Sequence, residues 1–156
     1  DTAEASFELL ARRFLGSVPE YFSVENFRIM VERRHNALGE LVTVSEAIVK
    51  VTVDGKQTMS AAEGNGPVHA LDQALRKDLG KYSAAISDLE LVDYKVRILS
   101  GGTSAVTRVL IESADGAGNR WFTVGVSPNI VDASFQAIID SVVYKILKAG
   151  APAPVS

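Results

Sequence analysis

A shift of 63 residues aligns the chain with itself, and this internal similarity limits the possible folds more than any other feature of the sequence. The shift sets PVHALDQAL (67–75) over IVDASFQAI (130–138). The matched residues are Val68 with Val131, Ala70 with Ala133, Gln73 with Gln136 and Ala74 with Ala137. Self-similarity at a fixed spacing indicates a supersecondary unit that occurs twice.

Three segments with strand-like alternation precede each of these two helical segments. Those of the first half are FRIMVER, LVTVSEAIVKVTVDG and KQTMSAA, at 27–33, 41–55 and 56–62. Those of the second half are LELVDYKVRIL, SAVTRVLIES and RWFTVGV, at 89–99, 104–113 and 120–126. The apolar spacing predicts helices from Pro67 to about Lys81 and from about Val131 to Leu147. The order βββα therefore occurs twice.

The predicted fold class is α+β, with two pseudo-twofold-related βββα units packed as helix and sheet layers after a short N-terminal helical linker. We expect the linker at 1–22, the two-unit domain at 23–148, and a disordered tail at 149–156. The repeat units span about 23–82 and 89–148. The linker helix is predicted over 6–15, with Ser6 as N-cap. Its apolar stripe is Phe7, Leu10, Ala11, Phe14 and Leu15.

Composition limits the classes of molecule that the chain is expected to bind. A formal net charge of −3 and a pI near 5.4 give no basic field, so neither nucleic acid nor an anionic membrane is an expected partner. The chain has no cysteine, which fits a cytoplasmic protein and excludes thiolate chemistry. No apolar run approaches the length of about 18 residues that a membrane span needs.

The sequence gives little support for catalysis. Only His35 and His69 are present, and neither has a second histidine at metal-ligand spacing. His69 could act as a general base beside Asp72, although a partly exposed helix histidine is the commoner case. No G-x-S-x-G elbow occurs, and nothing in the sequence pairs the carboxylates of Asp93, Glu112 and Asp115. We therefore assign no catalytic residue and no metal or cofactor to this chain.

The turn GNGP (64–67) is the strongest candidate for a binding site. One interpretation is structural, with Asn65 or Gly66 as N-cap and Pro67 at the first helical position. The other is chemical, because bare amides at a helix N-terminus attract a phosphate or a carboxylate. The repeat favours the second interpretation. If SPNI (127–130) lies opposite, two helix starts converge on a groove with apolar walls.

Four segments carry a resemblance to a known family: AAEGNGPVHALDQALR, LELVDYKVRIL, VLIES and TVGVSPNIVDASFQAIIDS. They resemble the C-terminal regulatory domain of the α-isopropylmalate synthase superfamily, from about Phe22 to Leu147. The run AEGNGPV with VDYKVRIL and the upstream SFELLAR is more similar to the citramalate synthase branch than to the leucine-pathway branch.

The resemblance implies a regulatory role rather than catalysis. Members join a metal-dependent (β/α)8 barrel, which condenses acetyl-CoA with a 2-keto acid, to a C-terminal domain that forms homodimers. That domain binds the end-product amino acid as a feedback inhibitor. The barrel with its His-x-His motif is absent from this sequence, so the fragment is expected to be non-catalytic. Its parent is then an acetyl-CoA-dependent acyltransferase that uses a divalent metal.

Matching family positions by motif places eight residues in the effector site. They are Asn65, Gly66, Val68, Leu91, Tyr94, Ile98, Ala105 and Ile130. Gly66 leaves its amide open to a carboxylate, and Leu91, Ile98 and Ile130 can enclose a branched aliphatic chain. The ammonium acceptor stays open between Asp93 and backbone carbonyls. Isoleucine is the expected effector; leucine, or a structural dimerisation module that binds no ligand, are the alternatives.

Overall fold

The computed structural model describes residues 3–100 and 105–155. Its elements in chain order are α1 (Glu4–Phe14), β1 (Ser23–His35), β2 (Leu41–Val53), β3 (Lys56–Gly64), α2 (Pro67–Arg76), a 3-10 turn (Gly80–Tyr82), β4 (Glu90–Ser100), β5 (Ala105–Ala114), β6 (Arg120–Ser127) and α3 (Ile130–Lys148). All six predicted strands are confirmed; Ser104, the predicted first residue of the fifth, lies outside the described residues. None of the helices in the described part of the chain is long and apolar enough to cross a membrane.

The chain divides into two compact units, and both have the predicted order βββα. The β1–β3 unit comprises Glu20–Ser83 with Pro154–Ser156. The β4–β6 unit comprises Ala84–Ala153 with Asp1–Pro19, and it therefore includes α1. Each sheet is antiparallel, in the order β1-β2-β3 or β4-β5-β6. The pseudo-twofold relation between the units stays a prediction.

In the β1–β3 unit, the Asp54–Gly55 turn predicted between β2 and β3 is confirmed. Both residues have positive φ, 50° and 77°, as a two-residue hairpin of the primed type requires. On β2, alternate residues from Ser45 to Val53 are buried, and they face α2. In each unit we call the helix-covered side of the sheet its inner face. The other side is its outer face.

Helix α2 is shorter than the sequence predicts. It ends at Arg76, and a 3-10 turn with Gly80 at φ 57° follows it. Leu79 lies beyond the end of the helix and is fully buried. Its spacing from the apolar residues of α2 therefore indicated burial and not helical structure. Tyr82, in the 3-10 turn, packs its ring edge-on against Tyr21, with 5.1 Å between the ring centroids.

In the β4–β6 unit, α3 packs on β5 and β6. The buried core of this unit includes Val109, Ile111, Ile138, Val142 and Ile146. Hydroxyl groups inside this core are paired: those of Ser113 and Ser141 bond to each other, and Thr123 donates to the carbonyl of Ala137. The buried Nε1 of Trp121 has no hydrogen-bond partner among the described residues.

The sequence interpretation of α1 was wrong about its buried face. Its N-cap is Ala3, and Ser6 lies within the helix, where its hydroxyl accepts from the amide of Val124 on edge strand β6 and donates to Asp140. The buried residues are Ala5 and Leu9. The predicted stripe is exposed instead, including Phe7, Leu10, Phe14 and Leu15. The helix thus covers the free edge of β6 with its other side.

The internal repeat extends to close contacts between strand and helix. A Cβ atom on Gly64, at the end of β3, would lie 2.7 Å from the amide nitrogen of Ala70. A Cβ atom on Gly125, in β6, would lie 1.9 Å from the carbonyl oxygen of Ala133. Ala70 and Ala133 are the fourth residues of α2 and α3. Each unit therefore needs a glycine where its helix crosses its third strand.

Candidate functional site

The start of α2 is open, as the second interpretation of the GNGP turn requires. Gly66 is the N-cap and Pro67 the first helical residue, and no side chain of the described residues caps this end. Gly66 has φ −161°, which any residue adopts, and a Cβ atom there would meet nothing within 4 Å. Asn65 is exposed, whereas Val68 is buried. The uncapped first turn combines donor amides with the positive end of the helix dipole, which favours an anion.

The start of α3 is closed by its own sequence, which corrects the expectation of two equivalent turns. The side-chain oxygen of Asn129 accepts from the amides of Val131 at 2.8 Å and Asp132 at 3.1 Å. The amides that SPNI was expected to offer are therefore occupied. Ile130 is 48% exposed and contributes only its apolar side chain. Asn before an apolar helix is an ordinary N-cap signal, so the sequence contained this information.

A bulge in β4 places the two predicted residues of LVDY on one face. The register of β4 with β5 shifts between Leu91 and Asp93. Because side chains alternate along a strand, residues three apart would otherwise point to opposite faces. With the extra residue, Leu91 pairs with Ser113 and Tyr94 with Ile111, both on the inner face. A bulge between Val24 and Asn26 occupies the same place in β1.

The other predicted residues of the β4–β6 unit lie on the same side of the sheet. Ile98 pairs with Thr107, and Ala105 pairs with Ser100, which continues the inner-face row. Ile130 begins the helix that packs on this face. The structure thus brings Leu91, Tyr94, Ile98, Ala105 and Ile130 to one side of one sheet. Asn65, Gly66 and Val68 lie together in the β1–β3 unit, and the convergence of the two groups stays a prediction.

The inner face of β4 is apolar and largely uncovered. Helix α3 packs on β5 and β6, and Ile98 remains 69% exposed. The β1–β3 unit has the same feature, because Val31 pairs with buried Ser45 on the inner face and is itself 63% exposed. We call these two rows the open inner strips. Exposed apolar strips of this kind mark binding surfaces.

Asp93 is unsuited to hold an ammonium group beside Tyr94. It pairs with Glu112 on the outer face, and its carboxylate accepts from the amide of Tyr94 at 2.9 Å. Of the two acceptors that the sequence left open, backbone carbonyls are therefore favoured.

The buried carboxyl of Asp72, in the second turn of α2, is engaged with its own helix. Asp72 is buried, and it accepts from Arg76 at 2.8 Å. Burial raises the pKa of the Asp72 carboxyl, and the neighbouring Arg76 guanidinium opposes that rise. An ion pair with Arg76 leaves Asp72 poorly placed to serve His69 as a catalytic partner. Within residues 3–100 and 105–155, no group of three or more potential ligands could hold a metal ion.

Comparison with known proteins identifies relatives that match most of the chain. Residues 1–146 match the family model described as the LeuA allosteric (dimerisation) domain. The chain is 54% identical to (R)-citramalate synthase of Geobacter sulfurreducens over 149 residues, covering 94% of the chain and 28% of that protein. It is 47% identical to (R)-citramalate synthase of Aquifex aeolicus over 95% of the chain and 28% of that protein. It is 35% identical to 2-isopropylmalate synthase of Acidovorax ebreus over 75% of the chain and 21% of that protein. The chain thus spans between about a fifth and little more than a quarter of the length of these curated relatives.

Proposed function

The chain belongs to the LeuA allosteric (dimerisation) domain family, and from this premise we propose that it binds isoleucine and mediates end-product feedback inhibition of a citramalate synthase-like acyltransferase. A leucine-responsive domain of a 2-isopropylmalate synthase is the second candidate, because relatives with that name also match. In this proposal the domain itself is non-catalytic. The divalent metal, acetyl-CoA and the reaction belong to a (β/α)8 barrel elsewhere in a longer protein.

The open start of α2 is the observation that carries the proposal. A free amino acid presents a carboxylate, and uncapped first-turn amides are well suited to hold one. Gly66 has no side chain in front of these amides, and a Cβ atom built on it would have no described atom within 4 Å beyond its chain neighbours. The closed start of α3 makes the α2 end the sole candidate of the two for this role.

The apolar residues of the β4–β6 unit supply the second requirement, an environment for a branched aliphatic side chain. Leu91 is half-buried and Ile98 exposed on the inner face, and Ile130 is exposed at the start of α3. Burying a side chain of this size against them contributes roughly 1.5–3 kcal/mol. Leucine and isoleucine differ only in the position of one methyl, so such a surface separates them by about 1–3 kcal/mol.

The open inner strips support a homodimer. In each unit, one edge strand has apolar inner-face residues that its own helix does not cover, with Val31 and Ile98 more than 60% exposed. A second copy that packs on these strips would remove that surface from water. In this proposal the dimer is the unit on which the effector acts.

Calorimetric titration tests the proposal. We expect isoleucine to give saturable heat with the dimeric domain, and leucine to bind more weakly by about tenfold. Isoleucinamide, which lacks the carboxylate, should give no measurable binding, since the α2 amides would have no anion to hold. Sedimentation analysis of the same samples should report a dimer.

Other outcomes separate the candidates. Tighter binding of leucine than of isoleucine would favour the leucine-responsive function. Absence of heat with both amino acids, for a folded dimer, would leave only a structural dimerisation module. In the full-length enzyme, feedback inhibition needs a coupling free energy of only about 1–3 kcal/mol between the effector site and the active site.

A further inference from the structure

Two arginines face each other on the outer face of the β4–β6 sheet. Arg97 on β4 pairs directly with Arg108 on β5. Side chains at directly opposed positions of an antiparallel pair have Cβ atoms about 5 Å apart, and like charges placed there repel. The strand register therefore places two positive charges at an electrostatically unfavourable separation.

Within the part of the chain that the structure describes, no carboxylate forms an ion pair with either arginine. Among the described residues, every ion pair within 4.0 Å involves basic side chains other than Arg97 and Arg108. The acids on the same face of β4 and β5 are Glu90, Asp93 and Glu112. Glu112 already accepts from Arg120 at 2.7 Å, and Glu90 lies farther from Arg97 along β4 than Asp93 does. Asp93 lies four residues before Arg97, about 13 Å along the strand. That separation exceeds the screening length of about 8 Å at physiological ionic strength.

The pair lines a recess with room for a small anion. A cavity of about 220 Å³ is lined by Lys95, Arg97, Arg108 and Leu110. Lys95 precedes Arg97 by two residues, so it lies on the same face of β4. Arginine presents a planar set of donors that matches phosphate oxygens in two-point contacts. A doubly charged anion can satisfy both guanidinium groups, whereas a monocarboxylate neutralises only one.

We propose that the outer face of β4 and β5 binds a phosphate group, held between the guanidinium groups of Arg97 and Arg108. The chemical class is a phosphate dianion, either free or carried by a larger metabolite. This site lies on the opposite face of the sheet from Tyr94 and Ile98 and is independent of the amino-acid proposal.

Thermal unfolding of the whole chain, at constant ionic strength and pH 7.5, tests the site. We expect the Tm to rise by about 3 to 5 °C when phosphate or pyrophosphate exceeds its Kd roughly tenfold. Acetate at matched ionic strength should shift the Tm by less than about 1 °C. A larger shift with glycerol 3-phosphate than with inorganic phosphate would indicate a phosphorylated metabolite as the ligand. The reverse order would indicate the free ion, and both orders support the site.

Arg108→Gln and Arg97→Gln should each abolish the phosphate-dependent shift. Because each removes a like-charge repulsion, neither should lower the Tm in phosphate-free buffer, which a merely structural arginine would do. Arg34→Gln is the matched control, since Arg34 is exposed in the β1–β3 unit and paired with Glu63. It should keep the full shift. The proposal is overturned if the unaltered chain does not respond to phosphate, or if both β4–β5 variants retain the response.

Discussion

Gly66→Asp is expected to abolish isoleucine binding while leaving the domain at least as stable as before. Asp is a better N-cap than Gly by a few tenths of a kcal/mol, and Gly66 already has the extended backbone of an N-cap. Its carboxylate would accept from the first-turn amides of α2, as Asn129 does at α3. It would thus occupy the place proposed for the effector carboxylate. Loss of two charge-assisted hydrogen bonds, at about 1.5–3 kcal/mol each, predicts at least a hundredfold loss of affinity.

Calorimetry for affinity and urea unfolding for stability check this prediction together. Gly66→Asn provides the same N-cap without a charge, and it should lose isoleucine affinity as Gly66→Asp does. This variant separates the effect of capping from electrostatic repulsion of the effector's carboxylate. Gln57→Glu adds one negative charge at an exposed position of β3 and should change affinity by less than about twofold. Unchanged isoleucine affinity in both Gly66 variants would contradict the proposed role of the α2 amides.

Gly125→Ala is expected to give the largest loss of stability from a single methyl group. Its Cβ would lie 1.9 Å from the carbonyl oxygen and 2.8 Å from the carbonyl carbon of Ala133, and backbone atoms cannot move aside as a flexible side chain can. We expect the free energy of unfolding to fall by about 3 kcal/mol or more, or the β4–β6 unit to fail to fold. Urea unfolding measures the effect.

Two further variants test the cause of that loss. Gly116→Ala should cost much less, because the nearest atom to its Cβ is the carboxylate oxygen of Asp88, at 3.3 Å on a movable side chain. Adding Ala133→Gly to Gly125→Ala should not restore stability, since the obstructing atoms belong to the backbone. Rescue by this second change would show that the helix–strand contact is wrongly described.

The two βββα units were predictable because their signals are local. Alternation along β2 reflects one face buried under a helix, and Asp54–Gly55 has the residue types that a tight hairpin demands. The repeat was visible because its matched residues include ones that pack closely within each unit, such as Ala70 against Gly64.

The buried face of α1, the bulge in β4 and the arginine pair could not be predicted from the periodicity of apolar residues. Helix α1 has apolar residues on two sides, and only tertiary packing decides that Leu9 is buried while Phe14 is 90% exposed. The β4 bulge, which turns Leu91 and Tyr94 to one face, leaves no mark in residue type. It also sends Asp93 to the outer face, where sequence spacing alone could not place it. The opposed pair of Arg97 and Arg108 became visible only with the strand register.

The most direct test of the central claim is a ¹⁵N–¹H NMR titration of the domain with isoleucine. The claim is that the uncapped amides of α2 hold the effector's carboxylate and the inner face of β4 receives its side chain. It predicts saturable shifts for the amides of Gly66 and Val68, together with the methyl groups of Leu91 and Ile98. Saturable binding that leaves Gly66 and Val68 unmoved would contradict it.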